Sequence, residues 1–340
     1  MSRIFCTTLV ALAAMPFHWA GEAAVARPDP LSHAALVKLL DYDREAPVDL
    51  QVVHSEDLPG GEVVVEDVTY PSPISGRVTA YIVAPKEPAK PGTRRAGIVF
   101  LHWGQGDRSE FVWEASLYAR AGAVSILIDA PWKRPEPWKQ VYEGVLSEPD
   151  RVRDMYLQTI KDLRRAIDVL LSRGDVDGRR LAYVGHSFGA TWGGTLAAVE
   201  KRFATFVLMG GLPRLTDLET KGPPSHEEYV KILEERLTPE QLSAYVGAID
   251  PISSLYFIRY APPSSVFMQF ALFDAYIGKE SAKIYYDAAR DPKRIAWYPT
   301  SHGFGCLDAL ADRAAWLEER IGLSSTKTLL EASLGGGGGK

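Results

Sequence analysis

Cysteine is nearly missing from this chain: its 340 residues contain two, Cys6 and Cys306. Two thiols cannot build a disulfide-stapled scaffold, and they do not supply the paired spacing of a zinc site. Charge of one sign is also scarce in runs. The formal net charge is −5, and no cluster of Lys and Arg offers the patch that a nucleic acid or an anionic membrane surface needs. Beyond the N-terminal segment, no apolar stretch is long enough to cross a bilayer. No glycine fingerprint of the dinucleotide-binding kind follows a strand-like run. What remains is a globular chain of ordinary composition, 46% hydrophobic and 24% charged, long enough for one or two domains. It implies no metal or redox cofactor, and its stability must come from its core.

The N-terminus reads MSRIFCTTLVALAAMPFHWAGEAAVARPDP. Arg3 supplies a positive start, Ile4 to Phe17 form a short apolar run, and Ala24-Val25-Ala26 fit a small-x-small cleavage site before Arg27. This is the pattern of a secretory signal peptide over residues 1–26, and it predicts an exported protein, periplasmic or secreted. A membrane anchor is the competing reading, but the run is short for a span. Cys6 lies too early in the run to be a lipidated cysteine at the cleavage point. Only Cys306 would remain after cleavage, so no internal disulfide is expected. The C-terminal GGGGGK, within residues 334–340, is flexible in composition and carries no fold information.

Apolar, β-branched runs recur along the rest of the chain. They are Glu62–Val68, Val78–Val83, Ile98–Leu101, Val124–Ile128, Leu181–Val184, Phe203–Met209, Val266–Phe270 and Ile295–Tyr298. The middle ones are continuously apolar, as strands covered on both faces are. Helical patterns alternate with them at Phe111–Ala121, Glu148–Arg173, Gly189–Val199 and Asp308–Ile321. Ser147 is a candidate N-cap for the second, with Pro149 in its first turn. Such alternation predicts a mostly parallel sheet with helices on both faces, after an antiparallel start. The domain is expected over residues 56–325, after a lead-in at 27–55. Residues 212–262 break the alternation. There Ser225 and Glu228 suggest one capped helix, and Thr238, Pro239 and Gln241 a second. Both would belong to a small helical cap inserted at the sheet edge where ligands bind, or to a plain surface excursion.

The stretch LAYVGHSFGATWGG, Leu181 to Gly194, carries the chemistry. Gly185-His186-Ser187-Phe188-Gly189 fits G-x-S-x-G, and it lies between a strand-like run and a small-residue, helix-compatible run. Glycines flank the serine because a strand and a helix must approach each other across a strained turn. The helix N-terminus then points its dipole and free N–H groups at a developing oxyanion. In this arrangement the sequence resembles the α/β-hydrolase superfamily, from about Glu56 to Leu323. The resemblance implies an α/β-hydrolase fold and a triad in the order Ser, acid, His. Ser187 is then the nucleophile. Of the seven histidines only His226 and His302 follow it. His226 sits in the cap region beside Glu227 and Glu228, where a solvated position is expected. His302, in WYPTSHGFG, leaves the last strand at the correct edge and is taken as the base. Asp274 follows the preceding strand and is taken as the acid. Its rival Asp250 precedes Pro251 and reads better as a turn cap.

The oxyanion hole implied by the resemblance takes the N–H of Phe188 and one from the loop LHWGQGDRSEF, with Trp103 as the expected donor and Gly104 as the alternative. His102 is read as a brace for loop backbone or a pocket residue. Asp107 and Arg108 are read as pinning the loop or as a surface ion pair. Trp132 and Trp138 are candidate pocket walls or packing for a long Pro-rich loop, and Trp192 is a further candidate wall. The segments LHWGQGDRSEF, LIDAPWKRPEPW, IDPISSLYF and YPTSHGFG most resemble the dienelactone-hydrolase-like and acetyl-xylan-esterase-like branch. Two departures matter. Dienelactone hydrolase uses a cysteine nucleophile where this chain has Ser187, and the HGGG loop of lipases is replaced by HWGQG. The expectation is therefore an exported serine hydrolase acting on small carboxylic esters, acetyl or short acyl. An amidase or peptidase on the same triad, and a catalytically silent binding module, are the alternatives. No nucleic-acid partner is expected, and the sequence does not speak to oligomeric state.

Overall fold

The computed structural model describes residues 27–141, 148–217 and 222–330. The signal-like segment, the Gly-rich tail and Ser147 lie outside them. The described chain opens with helix α1 (His33–Leu39), capped by Ser32, whose hydroxyl accepts from the Ala35 N–H at 3.1 Å. An antiparallel ribbon follows: β1 (Gln51–Asp57), β2 (Val63–Pro71) and β3 (Arg77–Pro85). Then strands and helices alternate: β4 (Arg95–Leu101), α2 (Val112–Arg120), β5 (Ala123–Ile128), α3 (Pro149–Ser172), β6 (Val176–His186), α4 (Phe188–Val199) and β7 (Phe203–Met209). An excursion carries α5 (Pro224–Arg236), α6 (Pro239–Ile249) and α7 (Ser254–Phe257). The chain returns through β8 (Ser265–Ala271), α8 (Lys279–Ala288), β9 (Lys293–Tyr298) and α9 (Leu307–Ile321).

Among the described residues the strands form one sheet in the order β1-β2-β3-β5-β4-β6-β7-β8-β9. The five pairings from β5 through β9 are all parallel. Every residue of β5 and of β8 is buried, which explains why their sequences are mostly apolar, with only Ser125, Ser265 and Gln269 as polar members. Two cores result. One packs α2 and α9 on the sheet; the other packs α3, α4, α6, α7 and α8 on its opposite face. The chain runs from β4 outward to β5, then crosses to β6 on the other side of β4. That reversal opens a crevice at the C-terminal ends of β4 and β6, the standard location for a ligand in an open α/β sheet.

Three elements escape the sequence pattern. β1 is exposed along its whole length, so it has no apolar alternation to reveal it. It and α1 both lie largely in the stretch read as lead-in. α8 is amphipathic but polar in composition; its buried Tyr285 donates from its hydroxyl to Ala190 O at 3.0 Å and braces α4 from behind. In the excursion, the Thr238–Gln241 capping box forms with both reciprocal bonds. The Ser225–Glu228 box does not. Pro223 and Pro224 preset the backbone so that α5 begins at Pro224 without a side-chain cap, and the Ser225 N–H donates instead to Ala275 O.

Candidate active site

Ser187 stands directly between β6 and α4 with φ 49° and ψ −102°, a backbone state that an L side chain adopts only under strain. Its N–H donates to Met209 O at 2.7 Å. The two flanking glycines are sterically required. A Cβ on Gly185 would lie 2.6 Å from the Gly189 carbonyl, and a Cβ on Gly189 would lie 2.4 Å from Leu101 O. The strand, the turn and the neighbouring strand end therefore touch through backbone alone. Phe188 is the first residue of α4, so its N–H has no partner within the helix, and the residue lines the same cavity as Ser187.

His302 lies on the loop after β9. Its Nδ1 donates to Asp274 Oδ2 at 2.8 Å, leaving Nε2 with the lone pair. Asp274 is fixed in turn: Oδ1 accepts from the N–H groups of Tyr276 and Ile277 at 2.8 and 2.9 Å. The Tyr276 ring packs on the imidazole at 4.8 Å between centroids. Gly210, at φ +59°, keeps clear the space beneath His302, where a Cβ would come within 3.2 Å of the ring. Asp250 is elsewhere. Buried at the end of α6, it accepts from Thr216 Oγ1 at 2.5 Å, Tyr256 OH at 2.6 Å and Arg27 Nη1 at 3.2 Å, and so anchors the start of the described chain. His226 is buried against Gly222 rather than solvated, because the glycine leaves room for the ring to fold under the loop.

The structure corrects the expected oxyanion donor. The Trp103 N–H is already donated to Glu110 Oε2 at 2.8 Å. The next N–H, on Gly104, has no partner among the described residues. A Cβ on Gly104 would stand 3.9 Å from that of Phe188, so the two backbones lie close together. Gly104, not Trp103, therefore carries the uncommitted N–H beside Phe188. Its own carbonyl accepts from Trp132 Nε1 at 2.9 Å.

A cavity of about 230 Å³ joins Ser187 and His302. Its other walls include Trp103, Tyr156, Phe188, Leu212, Leu215, Tyr229 and Ile277. Leu212, Leu215 and Tyr229 come from the excursion between β7 and β8. Three of the expected pocket residues do not line it. Trp192 is fully buried against Tyr156, at 4.8 Å. Trp132 packs edge-on to Phe188 at 4.8 Å. Trp138 lies over Gly76, where a Cβ would meet its ring at 3.1 Å. Trp132 and Trp138 serve as packing in the long loop and Trp192 as packing in α4, so of the four tryptophans named only Trp103 lines the cavity.

His102 is not a wall either. It is 1% exposed, its Nδ1 donates to Trp103 O at 2.6 Å, and its Nε2 accepts from the Ala130 N–H at 3.1 Å. Those roles require the neutral ring, and burial holds its pKa below the ordinary imidazole value, against the pull of the Trp103 carbonyl. Arg108 does not pair with Asp107. It forks onto Asp67 at 2.7 and 2.9 Å, and its backbone N–H donates to Asp129 Oδ1, tying the loop to β2 and to the end of β5. Asp107 instead caps Ser109 within the loop.

Sequence reasoning passed over Glu110 and His186, although both lie inside quoted motifs. His186 Nδ1 lies 2.5 Å from Glu110 Oε1, and its Nε2 donates to the carbonyl of His302 at 2.8 Å. The signal was faint: an acidic residue in a polar loop and the variable position of a pentapeptide. Among the described residues, no cluster of His, Cys, Asp and Glu could hold a metal ion, and no helix is long and apolar enough to cross a membrane.

No protein-family model matches the chain, and no curated protein matches it in sequence. Solved structures do match. An acetyl xylan esterase from Paenibacillus sp. R4 superposes with a TM-score of 0.67 at 19% identity, over 86% of this chain and 97% of that one. Acetyl xylan esterase 1 from Thermoanaerobacterium sp. JW/SL YS485 gives 0.64 at 16% identity, over 87% and 95%. The alpha/beta hydrolase GrgF from Penicillium sp. sh18 gives 0.57 at 14% identity, over 76% and 99%. The chain has the α/β-hydrolase fold, of the kind seen in dienelactone hydrolases and acetyl xylan esterases.

The buried neutral His102 has a measurable consequence. A ring whose folded pKa lies below its ordinary value of about 6.5 contributes its full stability above that pH. The contribution is lost as the pH falls below it, because the unfolded chain takes up a proton that the folded chain refuses. Urea midpoints measured at about pH 8 and about pH 5 should fall further for the wild type than for His102→Gln. Equal falls would show that His102 is not held neutral.

Proposed function

We propose that this protein is a serine hydrolase that cleaves small carboxylic esters through an acyl-enzyme. The observation that carries the reading is Ser187 on a strained turn, in one cavity with a histidine whose Nδ1 is fixed by Asp274. His302 Nε2 takes the proton as Ser187 Oγ attacks the ester carbonyl. The N–H groups of Phe188 and Gly104 receive the negative charge that forms on the carbonyl oxygen, with the positive end of α4 behind them. His302 returns the proton to the departing alcohol. A water activated by the same nitrogen then attacks the acyl group, and Ser187 is released with the acid.

The size of the cavity supports a short acyl group. About 230 Å³ is below the roughly 300–1,000 Å³ of sites for drug-sized ligands. Leu212, Leu215 and Tyr229 from the excursion close it on one side, which supports reading residues 212–262 as a cap. The same reading takes the protein to be exported with residues 1–26 removed.

Three experiments test this proposal. Ser187→Ala should lower ester turnover by about 10⁶, and Asp274→Asn by about 10⁴ through loss of the correct His302 tautomer. Asp250→Asn should change the unfolding midpoint and leave turnover nearly intact. An active Ser187→Ala, or an inactive Asp250→Asn beside an active Asp274→Asn, refutes the assignment. Along a p-nitrophenyl ester series, kcat/KM should rise about fourfold per methylene from acetyl to butyryl, near 0.8 kcal/mol each, then fall. A steady rise through long chains, or faster cleavage of anilides than of esters, would point to a different substrate. N-terminal sequencing of protein from its native compartment should begin near Arg27; an intact Met1 on membrane-bound protein overturns export.

A further inference from the structure

We propose that Glu110 and His186 are positioning residues that lock three catalytic segments into one geometry: the oxyanion loop, the nucleophile turn and the His302 loop. The inference rests on the serine-hydrolase reading above. Glu110 sits at the end of the loop that follows β4. One carboxylate oxygen accepts from the Trp103 N–H at 2.8 Å; the other lies 2.5 Å from His186 Nδ1. His186 is the residue immediately before Ser187, and its side chain is 6% exposed. Its second nitrogen donates to the backbone carbonyl of His302 at 2.8 Å. The rings of His186 and His302 lie 5.1 Å apart. A continuous chain of hydrogen bonds therefore runs from the Trp103 peptide, through Glu110 and His186, to the backbone of His302.

The proton inventory of this chain is constrained. His186 Nε2 faces a carbonyl, so it must carry a hydrogen. The contact between Nδ1 and Oε1 then holds one further proton, shared by imidazole and carboxyl. Whichever atom holds it, the pair is neutral overall and every polar atom facing inward is matched.

The consequence for catalysis lies in the Trp103–Gly104 peptide. Its carbonyl is held by His102 Nδ1 at 2.6 Å and by the Gly106 N–H at 3.0 Å. In a trans peptide the following N–H points away from that carbonyl, so the Gly104 N–H is aimed once Trp103 is fixed. His102 fixes the carbonyl side of Trp103, and Glu110 fixes the amide side. Gly106 permits this arrangement, since a Cβ there would meet the Trp103 indole at 2.5 Å and Glu110 Oε2 at 3.1 Å. Through His186, the same carboxylate sets where the His302 backbone lies relative to Ser187. Misplacement of such groups by about 1 Å costs on the order of 10² in rate.

The test compares Glu110→Asp, Glu110→Gln, Glu110→Ala and His186→Ala, with circular dichroism and thermal midpoints as checks on folding. Glutamine keeps an acceptor for Trp103 and offers an N–H to a neutral His186, so both links survive without the charge. Aspartate keeps the charge but is one methylene too short to span both partners. We expect Glu110→Asp and Glu110→Ala to lower kcat by about 10²-fold with KM changed less than about threefold, and Glu110→Gln to stay within about fivefold of wild type. The Glu110→Ala/His186→Ala double variant should be no more than about twofold worse than the poorer single, because both break one chain. Folded Glu110→Asp within twofold of wild-type kcat, Glu110→Gln as poor as Glu110→Ala, or losses that multiply in the double variant would each overturn the proposal. Fluorophosphonate labelling separates this from failure of the underlying reading. A wild type that neither labels nor hydrolyses any ester removes the serine-hydrolase function itself, whereas a labelled, active wild type with unaffected variants removes only the network.

Discussion

The structure depends on one backbone constraint, the strained turn at Ser187. A non-glycine residue at φ 49° is tolerated only when its surroundings leave it no alternative. Here β6 and α4 are both buried and fixed by packing, and the turn must join them in the space that Gly185 and Gly189 leave open. Leu101 at the end of β4 presses on Gly189, so the neighbouring strand sets the turn as firmly as its own chain does. The cost of that strain, of order 1–3 kcal/mol, is offset by the two cores on either side of the sheet. The return is a hydroxyl held at the mouth of a crevice with a helix N-terminus beside it.

Around this turn the loops are held by buried polar hubs. His102 joins the loop after β4 to the loop after β5. Arg108 ties the first of these to Asp67 and Asp129, and burial raises the pKa of Asp129 against the pull of Thr79 and Arg108. Deeper in the fold, Glu114 and Arg313 form a two-point contact at 2.7 and 2.6 Å between α2 and α9. Arg134 pairs with Asp162, linking the Pro-rich loop to α3. Such pairs add little net stability over apolar packing, but breaking one leaves a buried charge and is costly, so they hold each loop to a single arrangement. The one cysteine among the described residues, Cys306, is free, and covalent cross-links take no part in this.

The same economy shapes the cavity. Aromatic rings that look like pocket walls in the sequence serve mainly as a second layer. Trp132 and Tyr156 pack on Phe188, and Trp192 packs on Tyr156, which backs the wall that faces the cavity. Part of the apolar lining comes instead from the excursion between β7 and β8, a segment whose helices have modest sequence signals.

Much of this was legible in the sequence because the relevant constraints are local. Both faces of the central strands are buried, so their runs are mostly apolar. The GHSFG turn needs glycines at fixed spacing. Ser187, His302 and Asp274 each follow a recognisable strand, and the structure gathers Ser187 and His302 in one cavity with Asp274 against the histidine. Other features left no such trace. β1 is exposed on both faces and has no periodicity, and α8 is too polar to stand out. The exchange of Trp103 for Gly104 as the available N–H was beyond reach, because backbone amides carry no signature in the sequence. Only the folded position of Glu110, seven residues away, decides which amide is already taken. His186 and Glu110 are 76 residues apart, and the packing of β6 beside β4 alone brings them together. Backbone strain and burial are written residue by residue, whereas hydrogen-bond partnership is settled only when distant segments meet.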